Sequence, residues 1–360
     1  MSPVNSSLAD TDIVWADAQR QARFFAWVQP LILRLGLSQE SLRLASADAS
    51  FRRYFRIDGK STSYIIMDAP VEKEDSRPFV QVAELMRTAG LHVPQVLDWQ
   101  QSDGFLLLSD LGSQTMMQLL RPEVPQENLS LYLQAIEVLI AWQKASRPDV
   151  LPLYDESLLQ RELSLFPQWY VTAHKAIALT DAQQSVLAQS FERIVSANLA
   201  WPQVFVHRDF MPRNLMVPEQ AGKPLGVLDF QDAVYGPITY DVASLMRDAF
   251  ISWEEEFCLD VTVRYWEKAV KAGLPVGADF GEFYRGVEWM GLQRHLKVAG
   301  IFARLTLRDG KPRYLADAPR FINYIRATCS RYQELKPLLR LVDAIEGHVE
   351  PSVFGFGRQQ

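Results

Sequence analysis

Apolar residues recur every three to four positions from 13 to 36, with Phe24, Trp27, Leu31 and Leu35 on one face, and this predicts a helix. The pattern then shifts to short β-type runs at 42–46 (LRLAS), 51–57 (FRRYFRI) and 63–70 (SYIIMDAP). A helical segment at about 77–89 ends at Gly90, and His92-Val93-Pro94 leads into the run QVLDW. GFLLLSDLG, at 104–112, reads as a buried strand running into a turn. From Ser113 the helical period returns, at roughly 113–120, 127–146, 155–174 and 181–198, then at about 238–249, 252–272, 278–306, 316–331 and 332–346. Between these blocks, 204–217 and 226–237 read as strand, polar loop, strand, turn, strand. The layout predicts an α+β protein. Residues 1–109 form a β-rich lobe with a leading helix, and residues 110–360 a larger, mainly helical lobe.

Composition narrows the classes. A chain of 360 residues, 48% hydrophobic and 22% charged, is long enough for one large or two medium domains with real cores. A net charge of −6 argues against general nucleic-acid binding. Two cysteines, Cys258 and Cys329, speak against a disulfide scaffold or a zinc cluster and fit a reducing compartment. The opening MSPVNSSLADTD lacks the basic start and apolar core of a signal peptide and is expected to fray. No apolar run approaches the roughly 20 residues of a membrane helix. The expectation is a cytoplasmic protein with a small-molecule substrate, and with no nucleic acid, no membrane and no obligate protein partner.

The chemistry concentrates in VFVHRDFMPRNLMV (204–217) and GVLDFQDAVYGP (226–237). Asp209 stands where a catalytic base belongs, Asn214 follows five positions later, and Asp229 follows the next apolar run. Two oxygen ligands on neighbouring strand ends can hold Mg²⁺ on ATP phosphates, while the first carboxylate orients an attacking hydroxyl. The bare His-x-Asp-x-x-x-x-Asn pattern is moderately specific, and flanking strands with a second aspartate make it strong. The bland alternatives are a turn-capping aspartate, a turn amide and a strand-end carboxylate. His207 reads as a structural ring, and Asp241 as an N-cap or a brace on the loop.

On His207-Arg208-Asp209, Asn214, Asp229-Phe230-Gln231 and Tyr240-Asp241-Val242-Ala243, the chain resembles the aminoglycoside phosphotransferase and choline kinase superfamily. The resemblance spans nearly the whole chain and implies a protein-kinase-like bilobal fold with ATP and Mg²⁺ as cofactors. Within that superfamily the phrases DASFRRYFRI, IIMDAP with EKEDSRPF, HRDFMPRN, LDFQDAVYGPITYD and QRHLKVAGIFARLTLRDGKPRYL are similar to the bacterial N-acetylmuramate/N-acetylglucosamine anomeric kinases of cell-wall recycling. That likeness implies phosphorylation of the anomeric hydroxyl to give sugar 1-phosphates. Two alternatives stay open: another small alcohol, such as an aminoglycoside or a choline-like amine, and a nucleotide-binding pseudokinase.

Against that pattern the remaining candidates fall into three groups. Protein kinases usually place a lysine two residues after the base; here that residue is Met211, and Arg213 could supply the cation instead. For the nucleotide there is no glycine-rich loop. A tight Asp48-Ala49-Ser50 turn offers backbone N–H groups and the Ser50 hydroxyl, and Arg52 or Arg53, on opposite strand faces, could reach the phosphates. The third strand carries Met67 and Asp68 where many relatives place a lysine, and its partner glutamate is missing near Phe79, with Glu84 the nearest candidate. Leu108 and Asp110, in the connecting segment, should hold adenine by a strand edge. For the acceptor, Glu162 and Trp169 share a helical face suited to a sugar, although a core stripe with a solvated charge has the same spacing. Arg294, His295 and Lys297 open a basic stretch, and Arg294 and Lys297 could bind the lactyl carboxylate of N-acetylmuramate or form a solvated face.

Overall fold

The computed structural model describes residues 13–15, 17–47, 51–220 and 222–348. Residues 1–12 and the Asp48-Ala49-Ser50 turn lie outside the described residues. In chain order the first elements are α1 (Ala18–Leu35), β1 (Ser38–Ala47), β2 (Arg53–Asp58), β3 (Ser63–Asp68), α2 (Arg77–Thr88), β4 (Val96–Gln100) and β5 (Phe105–Ser109). Then come α3 (Met116–Leu119), α4 (Leu129–Lys144), α5 (Glu156–Leu163), α6 (Asp181–Leu199), β6 (Gln203–Val206), β7 (Leu215–Met216), β8 (Gly226–Val227) and β9 (Val234–Pro237). The chain continues through α7 (Tyr240–Met246), α8 (Glu255–Lys271), α9 (Phe280–Leu307), α10 (Ala318–Arg331) and α11 (Lys336–Glu346). It divides into two compact units, Met1–Thr115 with Leu215–Asp232, and Met116–Asn214 with Ala233–Gln360.

The first unit is built on a five-stranded antiparallel sheet in the order β1-β2-β3-β5-β4. Strand register lines up Leu44, Phe55, Ile66 and Leu107 in one row across it. Helix α1 lays Phe24, Val28 and Leu31 on that face, against Phe55, Ile57, Ile66, Phe105 and Leu107. Truncating a ring such as Phe24, which has no exposed surface, would cost about 3–5 kcal/mol. The Asp17 side chain caps the helix by accepting the Gln19 N–H at 2.8 Å, and Gly36 ends it in the left-handed region at φ 64°.

A charged clasp joins the helix to the sheet. Fully buried Asp68, at the end of β3, accepts Arg20 Nε at 2.8 Å and Arg53 Nε at 3.0 Å, and Arg20 also donates to the Asp103 carbonyl. The Arg53 guanidinium covers the Trp15 ring at 4.4 Å. The hairpin β7–β8 belongs to this unit through the bridges His92–Gly226 and Thr115–Met216.

The second unit is helical around α9, whose 28 residues span about 42 Å. Apolar Val287, Met290, Leu292, Leu296 and Ala299 are buried along it, and so are Glu288, Gln293, Arg294, His295 and Lys297. At Gly300 a Cβ would stand 2.4 Å from the Leu165 backbone, so only glycine permits that approach. The helix expected over 155–174 is not continuous. Pro167 lacks the N–H that would bond to the Leu163 carbonyl, so α5 closes at Leu163. The chain resumes as a π-helical segment, Phe166–His174, with Lys175 N–H donating to the Tyr170 carbonyl five residues back.

Candidate active site

Strand β6 delivers the loop that carries Asp209. Arg208 has φ 77°, a left-handed conformation that costs a non-glycine residue about 1–3 kcal/mol and persists only where its surroundings enforce it. Here the buried Asp241 carboxylate accepts the N–H of His207 at 2.7 Å and of Arg208 at 3.0 Å. From the other side, Arg294 Nη1 donates to the Arg208 carbonyl at 2.8 Å. Burial pushes Asp241 up to about 7, against the two N–H groups and the Arg294 charge that hold it down. His207 is fully buried, and its Nδ1 accepts the Asp209 N–H at 3.2 Å. Both residues thus brace the loop from inside.

Asn214 closes the loop through a short 3₁₀ turn, Pro212–Asn214, with Nδ2 donating to the Asp209 carbonyl at 2.9 Å. That bond fixes which end of the amide is nitrogen. Arg213, half-buried, lies over the Phe250 ring at 4.7 Å. Asp209, Arg213 and Asn214 therefore share one loop of the second unit. Asp229 belongs to the first unit, just past β8, with φ 64° and one carboxylate oxygen accepting Gln231 Nε2 at 2.9 Å. Two of the four non-glycine residues with positive φ among the described residues are thus Arg208 and Asp229.

Beside Asp229, Phe230 packs against Phe79 of α2 with ring centroids 4.9 Å apart. The place where a charged helix partner was sought is apolar, and Met67 on β3 is fully buried. Glu84 is exposed and pairs with Arg87 on its own helix. The ion pair that does form uses Glu74, ahead of α2, with Arg52 at 3.1 Å, both largely shielded from solvent. Sequence reasoning missed Glu74 because it looked only within the helix; the acidic phrase EKED was visible.

Of the other nucleotide candidates, Ser50 lies outside the described residues. Arg53 is committed to Asp68 and Trp15. Leu108 is not on a strand edge, because β5 is paired on both sides, with Ile65 of β3 and Val96 of β4 opposite it. Asp110 accepts Arg56 at 2.6 and 3.0 Å, Ser63 Oγ at 2.6 Å and the Gly112 N–H at 2.9 Å. Burial would raise this carboxyl, but those donors and the Arg56 charge leave it below the usual range.

The acceptor candidates point inward. The two oxygens of Glu162 accept four donors: Arg208 Nη2 and Lys297 Nζ on one, Tyr154 OH and Gln293 Nε2 on the other. Burial alone would raise Glu162; the Lys297 and Arg208 charges, with the Tyr154 and Gln293 hydrogen bonds, overcome it and bring the carboxyl down to about 2. Lys297 also donates to Tyr240 OH at 3.0 Å, and the Arg294 guanidinium covers the Tyr240 ring at 4.8 Å. His295 stacks on Tyr324 at 4.5 Å and contacts the Arg247 carbonyl at 3.2 Å; burial, with the Arg247 charge, keeps it neutral. Trp169 is half-buried in the π-helical segment, whose wider turn breaks its spacing with Glu162.

Comparison with known proteins places these features in company. Residues 41–280 match the family model described as the phosphotransferase enzyme family. The chain is 48% identical over 334 residues to the N-acetylmuramate/N-acetylglucosamine kinase of Neisseria meningitidis serogroup B, covering 92% of this chain and 98% of that protein. It is 50% identical over 301 residues to the kinase of the same description from Pseudomonas aeruginosa, covering 84% and 87%. In fold it is similar to the ADP-bound aminoglycoside phosphotransferase APH(2'')-Ib, with a TM-score of 0.55 and 17% identity over 86% of this chain and 97% of that one. A choline/ethanolamine kinase family protein from Mesorhizobium loti gives a TM-score of 0.59 at 16% identity, covering 91% and 99%.

Proposed function

Since the chain belongs to the phosphotransferase enzyme family and has its protein-kinase-like fold, we propose that it is an ATP-dependent kinase of N-acetylmuramate and N-acetylglucosamine. The observation that carries this reading is the near full-length identity of 48% with a kinase of those two sugars. The finer reading is that the anomeric hydroxyl accepts the phosphoryl group, giving sugar 1-phosphates for peptidoglycan recycling.

In that reaction Asp209 accepts a hydrogen bond from the acceptor hydroxyl, aims it at the γ-phosphate and takes its proton as the new P–O bond forms and the bond between the γ-phosphorus and the bridging oxygen breaks, with ADP leaving. A divalent cation, when bound, would neutralise charge on the nucleotide phosphates. The donor set fits Mg²⁺: Asp229 offers a carboxylate and Asn214 an amide oxygen, both hard ligands. Among the described residues no group of three or more His, Cys, Asp or Glu is placed to hold a metal.

Arg52, paired with Glu74, supplies the phosphate-binding cation in place of the third-strand lysine, because Arg53 is held by Asp68. Arg213 serves the transferred phosphoryl group. The backbone of Asp110 and Leu111, beyond the paired part of β5, takes the adenine edge.

A coupled ADP-release assay over a panel of amino sugars, aminoglycosides and choline tests the reading. Turnover confined to N-acetylmuramate and N-acetylglucosamine supports it. Turnover of a cationic alcohol with none on the sugars would replace it with the other branch of the superfamily. ADP binding without turnover on any acceptor would favour a pseudokinase.

A further inference from the structure

Glu162 and Lys297 are buried charges of the second unit; Glu162 bonds the Arg208 side chain directly, and Lys297 bonds Glu162. Helix α9 supplies Gln293, Arg294 and Lys297, α5 supplies Glu162, and α7 supplies Tyr240 and Asp241. Every one of these touches Arg208 or a group that touches it. Glu162 holds the Arg208 guanidinium, Lys297 bonds Glu162 at 3.1 Å and Tyr240 at 3.0 Å, and Arg294 bonds the Arg208 carbonyl. Their side chains are nearly inaccessible, with Glu162 7% and Lys297 10% exposed. A carboxylate that already accepts four donors has no lone-pair direction left for a sugar hydroxyl.

We infer that Glu162 and Lys297 are positioning residues: with Tyr154, Gln293 and Tyr240 they cage the Arg208 side chain, hold its left-handed backbone and thereby aim Asp209. Arg208 is gripped along its backbone and at its side chain: its N–H by Asp241, its carbonyl by Arg294 and Ser244, and its guanidinium by Glu162. With the side-chain grip removed, a residue with φ 77° relaxes toward the ordinary right-handed regions, and the next residue, Asp209, turns with it. A shift of about 1 Å at a reacting group costs about 10²-fold in rate. The inference deepens the kinase reading and rests on it for its kinetic test.

The test uses the full chain with Lys297→Met, Lys297→Arg and Glu162→Gln, assayed on both sugars, with amide hydrogen exchange followed at 207–209. Lys297→Met should lower kcat by about 10²-fold on both sugars with KM unchanged, and should speed exchange of the His207 and Arg208 amides. Lys297→Arg, which keeps the cation, should recover most of kcat. A KM rise confined to N-acetylmuramate, with kcat and loop exchange as in the parent, would overturn the inference and make Lys297 a substrate contact. Glu162→Gln leaves two buried cations without their carboxylate; should it fail to fold, the lysine variants still decide. A parent protein that turned over neither sugar would count against the proposed function, and the loop exchange would then decide the inference without it.

Discussion

Asp241 accepts the backbone N–H of Arg208 at 3.0 Å, and Arg208 is the left-handed residue immediately before Asp209. A buried carboxylate is thus wired to the peptide that sets the direction of the proposed base. The arrangement separates residues that perform the reaction from residues that hold them, and the predictions divide along that line.

Asp209→Asn should leave nucleotide affinity nearly intact while kcat falls by about 10²–10⁴-fold, the usual contribution of a positioned base. The variant keeps the backbone bonds to His207 and Asn214, so the loop should survive. Single-turnover kinetics beside ADP titration checks it; near-parental kcat in a folded variant would remove Asp209 from the chemistry.

Asp229→Ala should weaken Mg²⁺-dependent nucleotide binding more than Asn214→Ala. A carboxylate brings a full charge to the ion, whereas an amide brings a neutral oxygen. Nucleotide affinity measured across a magnesium titration gives the comparison, and small, equal effects would speak against cation binding by this pair.

Borohydride-reduced N-acetylmuramate, which has lost the anomeric centre but kept its other hydroxyls, should not be phosphorylated. ADP release with the reduced sugar at saturating ATP reads this directly. Efficient turnover would move the acceptor to another hydroxyl and leave the kinase reading in place.

Glu162 should make stability depend on acid. Its carboxyl is depressed in the folded protein to about 2, below the ordinary glutamate value, so its stabilisation is complete above about pH 4.5. It is lost as pH falls from there through about 2, and amounts to on the order of 3 kcal/mol. Urea unfolding of the parent and of Glu162→Gln at stepped pH should give a shallower slope for the variant in that window. Identical slopes would mean that the carboxyl titrates as an exposed one does.

The alternation of helix and strand was readable from periodicity because burial enforces it: the α1 stripe, the strands β2 and β5, and the long α9 all appear where the pattern puts them. The places of Asp209 and Asn214 in the loop after β6, and of Asp229 just past β8, were readable for a different reason, since their spacing is tied to strand ends. The charged residues of α9 were not. Periodicity assigns Arg294 and Lys297 a face but cannot say that the face is interior, and their partner Glu162 stands 135 residues away from Lys297. Likewise Asp68, which looked like a misplaced residue on the third strand, is explained only by Arg20, 48 residues earlier on α1. Pro167 could have warned of the break after α5, but it cannot announce a π-helix.

The clasp between α1 and β3 bears on the order in which the chain acquires its shape during synthesis. The leading helix leaves the ribosome before any strand it covers, and the surface that covers its apolar face is complete only once Leu107 has been made. Arg20 waits for Asp68 in the same way. In vectorial folding of this unit the helix is therefore made first and fully covered late, and nascent chains that end before Phe105 and Leu107 should leave part of it exposed to proteases and chaperones.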